Sequence, residues 1–209
     1  MSDTLNSTVY LADIRDFPTF HRVHRHFFPD ANTALTVSGF AEVGHRGCLI
    51  EIELTASTAH ENFSKKTANW PMSPPFAAPA AVRAGDFIFY SGILGINKDC
   101  RIVTEPEDFD LAPAIPAALL STLEENGEIS HQSWAALHLL SNISQEIGSS
   151  INDLVKMTVY LENPAYFTIF ESTLLELVSK ENLPAIECVI IPYPCLLYTS
   201  DAADDTPCV

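Results

Sequence analysis

The sequence predicts an α+β chain in which one strand–helix–strand unit occurs twice. Three observations carry this. The stretch TVYLADIRDFPTFHRVHRHFFPDANTALTV runs from Thr8 to Val37, and TVYLENPAYFTIFESTLLELVSKENLPAIECV runs from Thr158 to Val189. Leu11 and Leu161, Phe17 and Phe167, and Phe20 and Phe170 all share an offset of 150, while Ala34 and Ala185 differ by 151, so one residue has slipped in the loop between. Inside each copy, a β-branched and aromatic run gives way to a helical stripe and then to a second β run. A fixed internal offset of this kind is the signature of a duplicated unit.

In chain order, residues 8–12 (TVYLA) read as a short buried strand. Asp16 is the expected N-cap of a helix with Pro18 in its first turn, where the missing N–H costs little. Phe17, Phe20, Val23, Phe27 and Phe28 form its apolar stripe, and Pro29-Asp30 ends it. Ala34 to Val37 is the second strand. Cys48 to Ala56 alternates: Leu49, Glu51, Glu53 and Thr55 face one way, and Cys48, Ile50, Ile52, Leu54 and Ala56 the other. That pattern predicts a strand with one buried and one polar face. Residues 57–79, rich in proline and small polar residues, read as a connector.

Phe87 to Ser91 (FIFYS) follows a Gly85-Asp86 turn signal and reads as a strong strand; Gly92 and Gly95 then suggest a bend or a close backbone approach. Residues 97–128 are expected to make a long surface excursion. Ser130 to Ile147 places Trp134, Leu137, Leu140, Ile143 and Ile147 on one face, an amphipathic helix started by Ser130 or His131 and stopped by Gly148. The second TVYL strand, a helix opened by Pro164, and a strand from Ala185 to Ile191 complete the second copy.

Composition narrows the function classes. The formal charge is −16, with 11 Lys and Arg and no cluster of them along the chain beyond Lys65-Lys66. A nucleic-acid backbone is a poor partner for such a chain, because binding one needs grouped cations that displace counterions. The five cysteines, Cys48, Cys100, Cys188, Cys195 and Cys208, contain no CxxC pair, so neither a disulfide framework nor a zinc site is indicated. The N-terminus has no signal-peptide pattern and no 18-residue apolar run exists, which points to a cytoplasmic protein with no membrane partner.

The order VRAGDFIFYSG, amphipathic helix, GSSINDLVKMTVYL, aromatic-centred helix and LPAIECVI, with CLIEIELTA after the first copy only, resembles the Rid family of enamine/imine deaminases. That family is also called YjgF-like and was once labelled L-PSP endoribonuclease. The resemblance covers most of residues 7–58 and 76–192. It is carried most specifically by S-x-x-D-x-V-K-x-T-V-Y-L, from Ser150 to Leu161, and by Asp16-Phe17 with Phe27-Phe28-Pro29. It implies a chorismate-mutase-like fold, a mixed β-sheet packed on two helices. Three such domains associate, as a homo-oligomeric trimer or a pseudo-trimer of domains, with ligand clefts between neighbours. The implied reaction is hydrolysis of an enamine or imine to a 2-keto acid and ammonia, with water and no metal or organic cofactor.

On this family the chain maps as two incomplete copies in tandem. Residues 1–58 correspond to the C-terminal half of a domain, 59–75 to a linker, and 76–194 to a domain lacking its last strand. Residues 195–209 resemble translated sequencing-adapter read-through and are expected to be a non-native tail. A truncated gene model accounts for both cuts.

The resemblance also assigns site positions. The arginine that holds the substrate carboxylate corresponds to Leu35 in the first copy and Ile186 in the second, and neither can pair with an anion. Glu51 matches an acid that orients water; its other reading is a solvated strand carboxylate. Cys188 matches a cysteine frequent in relatives; its other reading is a small buried apolar residue. Ser91 and Gly92 keep a strand-turn whose backbone lines the cleft, and Ile93 stands where glutamine is usual. The cleft is therefore expected to be more apolar than a deaminase cleft. His21, His24 and His26 share one helix, but no nearby Cys, Asp or Glu completes a metal set, so they read as a partly exposed polar face. The expected activity is that of a weak or lost deaminase. The alternatives are a non-catalytic module that binds a small ligand or assembles, and a fragment of the C-terminal Rid-like pair of a diphthine–ammonia ligase.

Overall fold

The computed structural model describes residues 3–30, 32–58, 64–74, 76–116, 119 and 127–191. The tail expected to be non-native, with Cys195 and Cys208, lies outside the described residues. Helices pack on β-sheets in a mixed α+β arrangement.

The first sheet has β1 (Thr4–Leu11) at its centre, with β2 (Ala34–Gly39) parallel on one side and β3 (Ile50–Ala56) antiparallel on the other. Parallel neighbours need a crossover connection, and α1 (Phe17–Phe27) supplies it. Val9, Leu11, Leu35 and Val37 point to the α1 side and are almost wholly buried with Phe17. The strand begins four residues before the TVYL run, and Leu5 extends its buried face. Asp16 occupies the N-cap position of α1 without a side-chain bond. It is Asp13 that caps, accepting from the Arg15 N–H at the 3₁₀ turn just before the helix.

β3 departs from its pattern. The alternation predicted one covered face, yet all seven of its residues are exposed, with Ile50, Ile52 and Leu54 between 41% and 50% open. Among the described residues no layer covers the apolar side, so periodicity reports a face suited to burial without a partner to bury it.

The stretch expected as a connector contributes a strand. β4 (Lys65–Ala68) pairs antiparallel with β5 (Ala81–Ala84), which pairs with β6 (Phe87–Tyr90) across a turn where Gly85 takes φ 60°. Trp70 and Met72 also pack against the core here, around Ala80, Ala81, Leu139 and Ile143.

α2 (Glu128–Glu146) begins two residues before the expected Ser130, after Gly127, and is ended by Gly148 in the left-handed region (φ 79°). Arg83 of β5 donates from Nη1 to the carbonyls of Ile147 and Gly148, satisfying acceptors at that helix end. Part of the expected surface excursion lies against α2: Ile115 and Trp134 are buried together, and the indole N–H donates to the Pro113 carbonyl.

The third sheet is the parallel pair β7 (Lys156–Leu161) and β8 (Ala185–Ile190), joined through α3 (Tyr166–Leu177). α3 packs on α2 through Phe170 and Leu174 against Leu137 and Leu140. The two strand–helix–strand units therefore share their parallel pairing, Val9 opposite Val37 in one and Val159 opposite Cys188 in the other.

Candidate functional site

The first unit meets the second where β2 approaches the end of β6. Ser91 is 3% exposed, and its position is fixed by backbone bonding, its N–H donating to the Ala80 carbonyl. Its hydroxyl donates to the Pro79 carbonyl (2.6 Å) and accepts from the Leu35 N–H (2.9 Å). The Gly92 N–H donates to the Leu35 carbonyl at 3.1 Å. Thr36 lies so close that a Cβ on Gly92 would stand 3.2 Å from its methyl group. Thus Leu35, Ser91 and Gly92 come together through backbone and hydroxyl bonds.

The Leu35 side chain turns away from this contact into the core beneath α1, where it is 3% exposed. Ile93 is half-buried and packs against the cores of both α2 and α3. Ile186 occupies the matching place at the edge of the α3 core, and Cys188 is an exposed free thiol beyond it. Ile93 and Ile186 thus border one core, while Cys188 faces outward.

Glu51 stands apart. It pairs with Tyr10 on β1, whereas Leu35 pairs with Ser7. Tyr10 and Ser7 are three residues apart on one strand, so Glu51 and Leu35 point to opposite sheet faces. The Glu51 carboxylate instead rests over Gly44, whose φ is 42° and where a Cβ would come 2.9 Å from Oε2.

Two groupings were not nominated from the sequence. On the Glu51 face, Tyr10 and Tyr160, the tyrosines of the two TVYL strings, influence each other's ionisation, and the Tyr10 hydroxyl lies 3.5 Å from Glu53 Oε2. Burial is the main force raising both phenol pKa values, and the Glu53 carboxylate adds to it, so both stay protonated. The repeat itself was the signal, since it places one tyrosine at the same point of each unit. On α1, Arg22 and Arg25 stand one turn apart beside His21 and His26, so the basic residues do cluster, on a helix face rather than along the chain. The i, i+3 spacing was the available signal.

The histidine face is likewise corrected at one position. His24 is 6% exposed, stacked on Phe28 at 4.5 Å, and neither ring nitrogen has a hydrogen-bond partner. Burial, with a smaller push from His21, lowers its pKa to about 4. His21 is half-buried and accepts from the Ala77 N–H through Nε2 at 3.0 Å. Among the described residues no three His, Cys, Asp or Glu side chains converge to hold a metal ion, and no helix is long and apolar enough to cross a membrane.

The family profile described as endoribonuclease L-PSP matches residues 72–192, more than half of the chain. The chain belongs to the endoribonuclease L-PSP family. This is the Rid, or YjgF-like, family, so the protein is related at that level to the enamine/imine deaminases. The L-PSP match takes in β5 to β8 with α2 and α3, and it includes Ser91, Gly92, Ile93, Ile186 and Cys188. Solved structures resembling this L-PSP chain include yeast YEO7 (17% identity, 62% of this chain and 86% of that one, TM-score 0.48). Others are a putative endoribonuclease of Klebsiella pneumoniae (25%, 55% and 87%, TM-score 0.47) and yeast Mmf1 (22%, 62% and 86%, TM-score 0.46). No curated protein matches.

The junction makes one stability prediction. Ser91→Ala leaves the buried Leu35 N–H and Pro79 carbonyl without their partner, and the variant is expected to lose about 1–3 kcal/mol in chemical denaturation. A loss within measurement error would mean that water replaces the hydroxyl there.

Proposed function

We propose that this Rid-family protein has weak or no imine-hydrolysing activity and that its inter-unit junction serves assembly rather than catalysis. The observation that carries this is the junction between Leu35 and Ser91-Gly92. A substrate carboxylate there would need a cation, and Leu35 brings only its backbone to the junction, its side chain being buried beneath α1. It would also need free donors, but the Gly92 N–H and the Ser91 hydroxyl are already bonded to protein carbonyls. In the second copy, Ile186 is equally unable to pair with an anion. Glu51 and Cys188 then read as a solvated strand carboxylate and a surface thiol.

The test is ammonia release from freshly generated 2-aminoacrylate. The expected rate is at most slightly above that of buffer. A clear acceleration by the parent protein refutes the proposal.

A second reading has its own support. The uncovered faces of β3, together with Val23 and Phe27 of α1, which are 52% and 51% exposed, suit a chain that is one part of a larger assembly. In that reading residues 1–58 and 76–194 are two incomplete tandem domains joined by 59–75, and the chain is a piece of a pseudo-trimer such as the C-terminal pair of a diphthine–ammonia ligase. The matching strand pairings of the two units support the duplication. The upstream genomic sequence tests it: an open frame encoding an ATP pyrophosphatase-type loop is expected, and a start codon with its own ribosome site refutes it.

A further inference from the structure

We propose that the face of α1 carrying Arg22 and Arg25 is a binding site for a small organic monocarboxylate with an apolar body. The site is separate from the Leu35 junction, and its test does not depend on imine hydrolysis.

An open groove of about 530 Å³ lies along α1. Among its described lining residues Phe17, Pro18 and Pro29 are apolar, Arg22, Arg25, His21 and His26 are basic, and none is acidic. The absence of an acid is informative in a chain with 27 Asp and Glu against 11 Lys and Arg. The ion pairs among the described residues are Arg15 with Asp13, Lys98 with Asp110 and Lys156 with Glu187. Arg22 and Arg25 make none of these, and both are exposed.

Residues three apart on a helix are neighbours, so both guanidinium groups reach a single anion between them. Each presents a planar fork that fits a carboxylate edge. The helix dipole gives a simpler reason for basic residues in the last turn, but it covers Arg25 and His26 and leaves Arg22 and His21 unexplained.

His21 adds a fixed donor. Its Nε2 accepts from the Ala77 N–H, so in the neutral ring the proton sits on Nδ1. The ring stacks on Phe17, with centroids 5.4 Å apart and planes 11° from parallel. Burial and the nearby Arg25 hold its pKa down, so it contributes a hydrogen bond and no charge. An apolar body has Pro18 and Pro29 to rest on. The net charge of −16 weighs against an extended polyanion, which would reach beyond the two arginines to the acidic remainder of the chain.

The experiment titrates the full chain with benzoate, inorganic phosphate and an oligoglutamate peptide. Binding is followed by calorimetry and by NMR of the arginine Nε–H groups, beside the variant Arg22→Gln/Arg25→Gln. Both positions are exposed, and an unchanged melting curve certifies the variant's fold. The expected result is saturable benzoate binding that shifts both arginine signals, exceeds phosphate binding, and weakens by about tenfold or more in the double variant. Benzoate binding that is unsaturable or unchanged in the variant overturns the proposal. So does tighter binding of phosphate, or of the peptide, which would make the face a site for inorganic anions or for an acidic protein.

Discussion

Gly95→Ala is expected to be among the most damaging single substitutions in this chain, costing about 3 kcal/mol, the upper end of what overpacking does. A Cβ at this position would stand 2.4 Å from the Gln132 carbonyl oxygen and 2.6 Å from the Gln132 Cα. Both are backbone atoms of the first turns of α2, so no rotamer change relieves the contact. The loop carrying Gly95 is itself held by the Val103 N–H, which donates to the Gly95 carbonyl at 2.9 Å. Loop and helix must therefore part, which opens the core around Leu139 and Ile143, both at most 1% exposed. Urea denaturation of the parent and variant measures the effect. Because the clash is with backbone, adding Gln132→Ala should restore nothing, and a loss below about 0.5 kcal/mol would show that the helix shifts freely.

The second large effect is a loss of stability in mild acid that centres on His24. Its pKa in the folded chain is about 4, against an ordinary value of 6.5. The unfolded chain takes up the proton as pH falls through 6.5, and the folded chain resists until about 4. Stability from this group is therefore complete above pH 6.5 and is lost progressively between 6.5 and 4, by about 3 kcal/mol in total. By the repeat offset, His24 corresponds to Leu174, which is fully buried at the same place on α3. His24→Leu should remove both the titration and two unpaired ring nitrogens. The stability difference between variant and parent is then expected to widen by about 3 kcal/mol from pH 7 to pH 4. A difference that stays constant with pH would mean that His24 gains water or a partner and protonates in place.

Much of the fold was legible because local pattern and tertiary pairing agree in the repeated units. TVYL and the aromatic stripe of α1 describe elements whose buried face is decided by their own residues. β4 and β5 were not legible, since KKTA and AVRA are short and weak in β propensity, and they are strands because β6 and each other give them ladders. The exposed face of β3 fails in the opposite sense, with a strong pattern and nothing laid against it.

The candidate positions could be named from the sequence, but their geometry could not. The resemblance could name Leu35 as an expected cation position, which remains an expectation. It could not show that Leu35 meets Ser91 and Gly92 through backbone groups, because main-chain contacts leave no residue-type signature. Nor could it show that Glu51 lies on the other face, which depends on strand register. The Arg22–Arg25 pair was hidden by counting neighbours along the chain instead of around the helix.

The Leu35–Ser91 bond also sets an order of events during synthesis. The first unit leaves the ribosome with β1, α1 and β2 complete, yet the outer edge of β2 finds its partner only after 56 further residues have emerged. The Tyr10–Tyr160 contact waits for 150. Loop closure over such spans carries its entropy cost before any contact repays it. Until then the nascent chain presents an unpaired edge to its surroundings, and the first half depends for its completion on the half that is translated last.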